Sequence, residues 1–127
     1  MSTPTILVAE DEFDIRELLV FALEFNGFTV ISVSNGKDAV EKAIETLPDL
    51  ILLDVRMPRV TGYDACKTLK ENETTKHIPV VFLSAKGQES EIKFGTALGA
   101  EAYILKPFSP DELADQVKRL LKKHNKL

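Results

Sequence analysis

Five polar side chains in this chain stand directly behind short apolar runs. Glu10 and Asp11 follow Thr5 to Ala9, Asp54 follows Leu50 to Leu53, Ser84 follows Ile78 to Leu83, and Lys106 follows Ala102 to Leu105. An uninterrupted apolar run of four or five residues that halts at a carboxylate reads as a strand buried on both faces, as in parallel sheets. Parallel strands place all of these groups on one edge, where ligands of open α/β sheets bind. Taken singly, each has a plain explanation, since Asp and Ser often begin turns and a lysine before proline is often just solvated. Their coincidence on one edge is not explained that way. Glu10, Asp11 and Asp54 in one cleft repel one another unless a cation offsets them, and hard oxygen donors suit Mg2+, with Mn2+ as the other candidate. Magnesium keeps open positions for a substrate phosphate, so the expected substrate is a phosphoryl group. Asp54 is then the nucleophile, Lys106 the cation on a phosphoryl oxygen, and Ser84 a hydroxyl donor to another.

The elements that must position these groups can be read in order. After the first strand, Ile15, Leu18, Leu19, Ala22 and Leu23 recur at helical spacing up to a stop near Gly27. Phe28 to Val33 reads as a second strand. Asn35 caps a helix carrying Val40, Ala43, Ile44 and Leu47, which Pro48 ends. Beyond the strand of Asp54, Thr61 and Asp64 have the spacing of a capping box for a third helix with Cys66 and Leu69 inward. A fourth helix over about Glu89 to Leu98 contains Gly95, which costs roughly 1 kcal/mol against alanine and marks the region as movable. Ser109, Pro110 and Glu112 open the last helix, with Leu113, Val117, Leu120 and Leu121 on its apolar stripe. Five strand and helix alternations predict an α/β domain: a parallel sheet with helices on both faces.

A chain of 127 residues with 44% hydrophobic content forms one domain over residues 1–127 with a core of its own. The single Cys66 forms no intrachain bridge, and no paired Cys/His spacing points to zinc, so a reducing cytoplasmic setting is expected. No apolar run approaches the ~20 residues of a membrane span, and no signal-like segment opens the chain. A net charge of −4 argues against direct nucleic-acid binding. The basic run of Lys118, Arg119, Lys122, Lys123 and Lys126 reads as cations at a helix carboxyl end.

The set Glu10 and Asp11, Asp54 with Met57, Pro58 and Gly62, Ser84 with Ala85, and Lys106 with Pro107 and Phe108 resembles the receiver domain of two-component response regulators, over essentially the whole chain. The resemblance implies a doubly wound (βα)5, flavodoxin-like sheet of strand order 2-1-3-4-5. It implies that Asp54 is the phosphoacceptor, that Asp11, Asp54 and the backbone carbonyl of Arg56 ligate the metal, and that Glu10 acts on it through water. Ser84 matches the hydroxyl that moves toward the phosphoryl group and Tyr103 the aromatic that changes rotamer with it. Without the resemblance Tyr103 would be read as core packing. The Lys106–Pro107 bond is expected to be cis.

Glu10 and Ser84 stand where aspartate and threonine are commoner. Arg56 and Lys86 lie where family members tune the lifetime of the phosphoryl group; two cations there either weaken metal binding or shield the phosphoryl from water. The implied partners are a sensor histidine kinase or histidine phosphotransfer protein and a downstream protein target. The implied signal is altered affinity of the face built by the fourth helix, fifth strand and fifth helix, with Phe94, Ala97 and Lys118 on or near it. Nothing in this reading calls for a conventional turnover enzyme, and the expected state is a monomer or a weak phosphorylation-dependent dimer. With no output segment after Leu127, both a stand-alone regulator and a receiver excised from a longer protein fit.

Three other functions fit these residues less well. A flavodoxin-like cofactor module would need a Gly/Ser/Thr-rich phosphate loop after the first strand, where Glu10, Asp11 and Glu12 would repel the ligand. A hydrolase of the aspartyl-phosphate type would want an acid at the position of Arg56. A receiver fold that has lost phosphorylation would not be expected to keep the acids, Ser84 and Lys106 together.

Overall fold

Strand and helix alternate as the apolar pattern requires: β1 (Thr5–Ala9), α1 (Phe13–Phe25), β2 (Thr29–Val33), α2 (Gly36–Thr46), β3 (Leu50–Asp54), α3 (Gly62–Glu71), β4 (Val80–Ser84), α4 (Glu89–Ala97), β5 (Ala102–Leu105) and α5 (Pro110–Lys123). The computed structural model describes residues 3–85 and 87–127. All strand pairs are parallel, in the order β2-β1-β3-β4-β5. The expected flavodoxin-like topology is therefore the one present, with its reversal between β1 and β3.

The central strands alternate their apolar residues between two cores. Leu7, Ala9, Ile51, Leu53, Val80 and Phe82 pack with Ala39 and Ala43 of α2 and with Ala65, Cys66 and Leu69 of α3. Ile6, Val8, Leu50, Leu52, Val81 and Leu83 pack with Leu19 and Leu23 of α1 and with Leu113, Val117 and Leu121 of α5. Burial on both faces explains why these strands lack a polar alternation.

Local chemistry sets the ends. Thr61 accepts from the Asp64 N–H at 3.1 Å while the Asp64 carboxylate accepts from the Thr61 N–H at 3.2 Å, the capping box anticipated for α3. Asn35 caps α2 by accepting from the Asp38 N–H at 2.8 Å. Gly27 takes a φ of +90°, with its N–H donating to the Glu24 carbonyl and that of Phe28 to the Leu23 carbonyl. That paired closure is a Schellman motif, and it draws Phe28 into the helix end, so β2 begins one residue later than its apolar run. β4 likewise begins at Val80, because the Ile78 N–H is turned onto the Thr75 carbonyl and Pro79 has no N–H for the ladder. Leu47, next to Pro48, leaves the helical region at φ 48° and closes α2 on the Ala43 carbonyl.

Register then lines up the strand ends. Ala9 pairs with Leu53, Asp54 with Leu83, and Ser84 with Leu105. Glu10, Asp54, Ser84 and Lys106 consequently end their strands along one edge.

Candidate functional site

β1 delivers Glu10 and β3 delivers Asp54 side by side, and both carboxylates are buried, at 0% and 3% exposure. Asp11 is exposed at the rim. One carboxylate oxygen of each lies within 4.8 Å of the other two. The Glu10 N–H donates to the Val33 carbonyl at 3.1 Å, and Arg16 of α1 donates through Nη1 to the Glu10 carbonyl at 2.8 Å, so the backbone after β1 is held from both sides.

Lys106 closes the group from β5. Its ammonium donates to Asp54 Oδ1 at 3.0 Å and forms an ion pair with Glu10 Oε1 at 2.7 Å, with the side chain only 16% exposed. The contact with Glu10 is an ion pair, and among the described residues no aligned hydrogen bond reaches Oε1. Glu10 Oε2 accepts from the Glu12 N–H at 3.2 Å. Burial pushes the Glu10 carboxyl up to about 7; the Lys106 contact and the Glu12 N–H work against burial, while the Asp54 charge adds to it. Burial acts on Lys106 in the opposite sense, yet its contacts with Glu10 and Asp54 outweigh it and hold the ammonium above the ordinary lysine range. The Lys106 N–H donates to the Ser84 carbonyl at 2.8 Å, so the hydroxyl-bearing strand end and the cation-bearing one are joined through the backbone.

The loop after β3 approaches the site closely. The Gly62 N–H donates to the Val55 carbonyl at 3.0 Å, and a Cβ on Gly62 would fall 2.2 Å from the Asp54 carbonyl oxygen. Only glycine permits that approach. Arg56 is exposed on this loop and lines, with Ser84, Tyr63, Ser90, Glu91 and Phe94, an open cavity of about 320 Å3 between the loop and α4. Met57, also on the loop, is buried in the core shared by α2 and α3. Lys86 lies outside the described residues. The Lys106–Pro107 peptide is cis, as expected.

The structure brings together Glu10, Asp11, Asp54 and Lys106, places Ser84 at the neighbouring strand end, and puts Tyr103 two positions back on β5. The Tyr103 hydroxyl is hydrogen-bonded to that of Tyr63, from the first turn of α3. Burial and this bond both push the Tyr103 phenol above the ordinary range. Sequence reasoning missed Tyr63, because a single aromatic at a helix start has no periodic or motif signal. It also read Gly95 only as a weak point, whereas a Cβ there would meet the Tyr103 ring at 2.6 Å and the Phe82 ring at 3.0 Å.

The three acids offer only carboxylate oxygens, and such a donor set suits a hard divalent cation such as Mg2+.

A family model described as the response regulator receiver domain matches residues 6–118. The chain is 44% identical over 118 residues to the phosphate regulon transcriptional regulatory protein PhoB of Escherichia coli, covering 93% of this chain and 52% of that protein. It is 42% identical over 118 residues to the alkaline phosphatase synthesis transcriptional regulatory protein PhoP of Bacillus subtilis, covering 93% of this chain and 48% of the relative. The chain thus spans about half the length of the curated relatives it matches. Among solved structures, chemotaxis protein CheY4 of Vibrio cholerae superposes with a TM-score of 0.91 at 28% identity, covering 94% of this chain and all of the other. A putative response regulator from Chloroflexus aurantiacus does so with a TM-score of 0.90 at 33% identity, covering 95% of this chain and 99% of the other.

Proposed function

This chain belongs to the response regulator receiver domain family, a signalling family, and on that basis we propose that it is a phosphorylation-dependent switch whose Asp54 accepts a phosphoryl group from a phosphohistidine donor. The observation that carries this reading is the Lys106 ammonium bridging the buried carboxylates of Asp54 and Glu10, with Asp11 beside them.

Each residue then has a task. The Asp54 carboxylate attacks the phosphorus, and the bond from phosphorus to the donor imidazole nitrogen breaks as the aspartyl oxygen–phosphorus bond forms. Lys106 releases Asp54 and takes a phosphoryl oxygen, while Ser84 donates its hydroxyl to another. Asp11, Asp54 and the Arg56 backbone carbonyl would hold Mg2+ or Mn2+, and Glu10 would act on it through water. The bound cation offsets the negative charge that gathers as the phosphoryl approaches the acids. Arg56 and Lys86 set how readily water reaches the acyl phosphate afterwards. Movement of Ser84, with Tyr103 following, changes the affinity of the α4-β5-α5 face for a protein partner.

The donor is a sensor histidine kinase or histidine phosphotransfer protein, and the chain assists its own phosphorylation and hydrolysis without turning over as a conventional enzyme. Residues 1–127 act as one receiver domain in the cytoplasm; among the described residues no helix is long and apolar enough to cross a membrane. The relatives of about twice this length are named as transcriptional regulators, so the expectation of no direct nucleic-acid contact is kept for this domain alone and not for any longer protein that contains it. The acids after β1 count against a flavodoxin-like cofactor site.

The test is incubation with a small acyl phosphate and Mg2+, read by intact mass for wild type and Asp54→Asn. Wild type is expected to gain one phosphoryl group and the variant none. No Mg2+-dependent gain in wild type, or an equal gain in Asp54→Asn, overturns the assignment.

A further inference from the structure

The loop between β1 and α1 carries two of the three clustered acids, Glu10 and Asp11, and no side-chain cap fastens it to the helix. Asn35, Thr61 and Ser109 each accept from a backbone N–H in the first turn of α2, α3 and α5, and so tie down the loop entering that helix. Glu12, at the N-cap of α1, makes no such bond. Arg16 reaches back over the first turn instead. Its Nη1 donates to the Glu10 carbonyl at 2.8 Å and lies 3.5 Å from the Asp11 carbonyl, while its backbone N–H donates to the Glu12 carbonyl at 2.9 Å. One residue of α1 thus contacts the carbonyls of all three acids in the turn.

The guanidinium is itself seated. It lies over the Phe13 ring, 5.5 Å from the centroid. Phe13 is 63% exposed and belongs to neither core, so packing does not account for an aromatic there, whereas a floor for Arg16 does. None of the ion pairs among the described residues includes Arg16. It therefore holds the backbone of the acids while leaving their carboxylate oxygens to a cation. A ligand loop fixed before binding leaves less ordering for the cation to offset, so this arrangement favours metal binding.

We infer that Arg16 is a positioning residue of the candidate metal site: its guanidinium, seated on the Phe13 ring, holds the Glu10 and Asp11 carbonyls and so fixes the loop that presents these acids to a divalent cation. This rests on the reading of Glu10, Asp11 and Asp54 as a metal site and adds two residues to it. Partners that orient metal ligands contribute about 10- to 100-fold in metal affinity. Arg16 acts through carbonyls, one step removed from the ligand oxygens, which places it at the lower end of that range.

Arg16→Met keeps an unbranched stem and removes every donor. Mn2+ is titrated into wild type, Arg16→Met, Arg16→Lys, Phe13→Leu and the Phe13→Leu/Arg16→Met double variant, with free Mn2+ counted by electron spin resonance and urea denaturation in EDTA measured alongside. Arg16→Met is expected to bind Mn2+ about tenfold more weakly than wild type. Arg16→Lys, which keeps the charge and a donor, is expected to recover part of the loss. Phe13→Leu is expected to weaken binding about twofold through the lost ring contact, and to change nothing further once Arg16 is methionine. A purely structural role for Arg16 would lower urea resistance and leave the Mn2+ affinity of the folded protein where it was. Equal Mn2+ affinity of Arg16→Met and wild type overturns the proposal, and so does tighter binding by the variant, which would show the guanidinium acting as a repelling charge. The same Phe13→Leu effect in both backgrounds overturns the seat. Absence of Mn2+ binding by wild type instead overturns the metal-site reading beneath it.

Discussion

Glu10 links burial to pH and, through both, to the proposed metal site. A carboxyl held up to about 7 keeps its proton in the folded chain between pH 4.5 and 7, where the unfolded chain has already released it. The folded state is therefore favoured most below pH 4.5, and this contribution is lost as pH rises to about 7. By linkage the effect is on the order of 3 kcal/mol. In EDTA, wild type is expected to lose urea resistance relative to Glu10→Gln between pH 5 and pH 7.5, and parallel curves for the two proteins would contradict the raised carboxyl. The same proton opposes Mg2+, so added metal should stabilise wild type more at pH 7.5 than at pH 5, which a melting series reads directly. Sequence reasoning placed Glu10 in the cleft correctly. It did not foresee the shift, which depends on total burial and on how Lys106 divides itself between two acids, neither of which a strand pattern encodes.

At the scale of elements, the strands were legible and the fourth helix was only half so. Continuous apolar runs and their polar stops located β1, β3, β4 and β5 within two residues, because burial on both faces leaves an unambiguous mark. The misplaced starts of β2 and β4 came from Phe28 and Pro79, where hydrogen bonding at a helix end and a missing N–H outrank hydrophobicity. Gly95 was legible as a cost but not as a seat for Tyr103. At an exposed helix position, Gly→Ala would stabilise by roughly 1 kcal/mol. Here the added methyl meets two rings, and overpacking of that kind costs about 1–3 kcal/mol. Gly95→Ala is thus expected to be net destabilising, with a change in tyrosine fluorescence; a variant with higher urea resistance and an unchanged tyrosine signal would show that the rings yield freely.

Across the whole molecule, rigidity and mobility are unevenly distributed. The middle of the sheet, from Ile6 to Ala9 and Leu50 to Leu53, is wholly inaccessible, whereas α4 buries little beyond Gly95. Hydrogen exchange should accordingly be slowest in β1 and β3 and fastest, among the helices, in α4. Cys66 offers a second gauge of global opening. It is fully buried, and burial pushes its thiol up to about 11, against a smaller pull from Lys70. Alkylation at pH 8 is expected to proceed no faster than unfolding itself, and rapid labelling of the native protein would reveal an opening near α3 that the packing does not suggest.

The absent side chain at position 62 has a consequence for variation in this chain. Gly62 touches neither metal nor phosphoryl in any role proposed above, yet any β-carbon there must push away the carbonyl of Asp54, the proposed phosphoacceptor. In a library of all single substitutions selected for signalling, position 62 should be emptied as thoroughly as position 54. Selection at these two sites would have different causes: at one the reacting atom is irreplaceable, and at the other the space is.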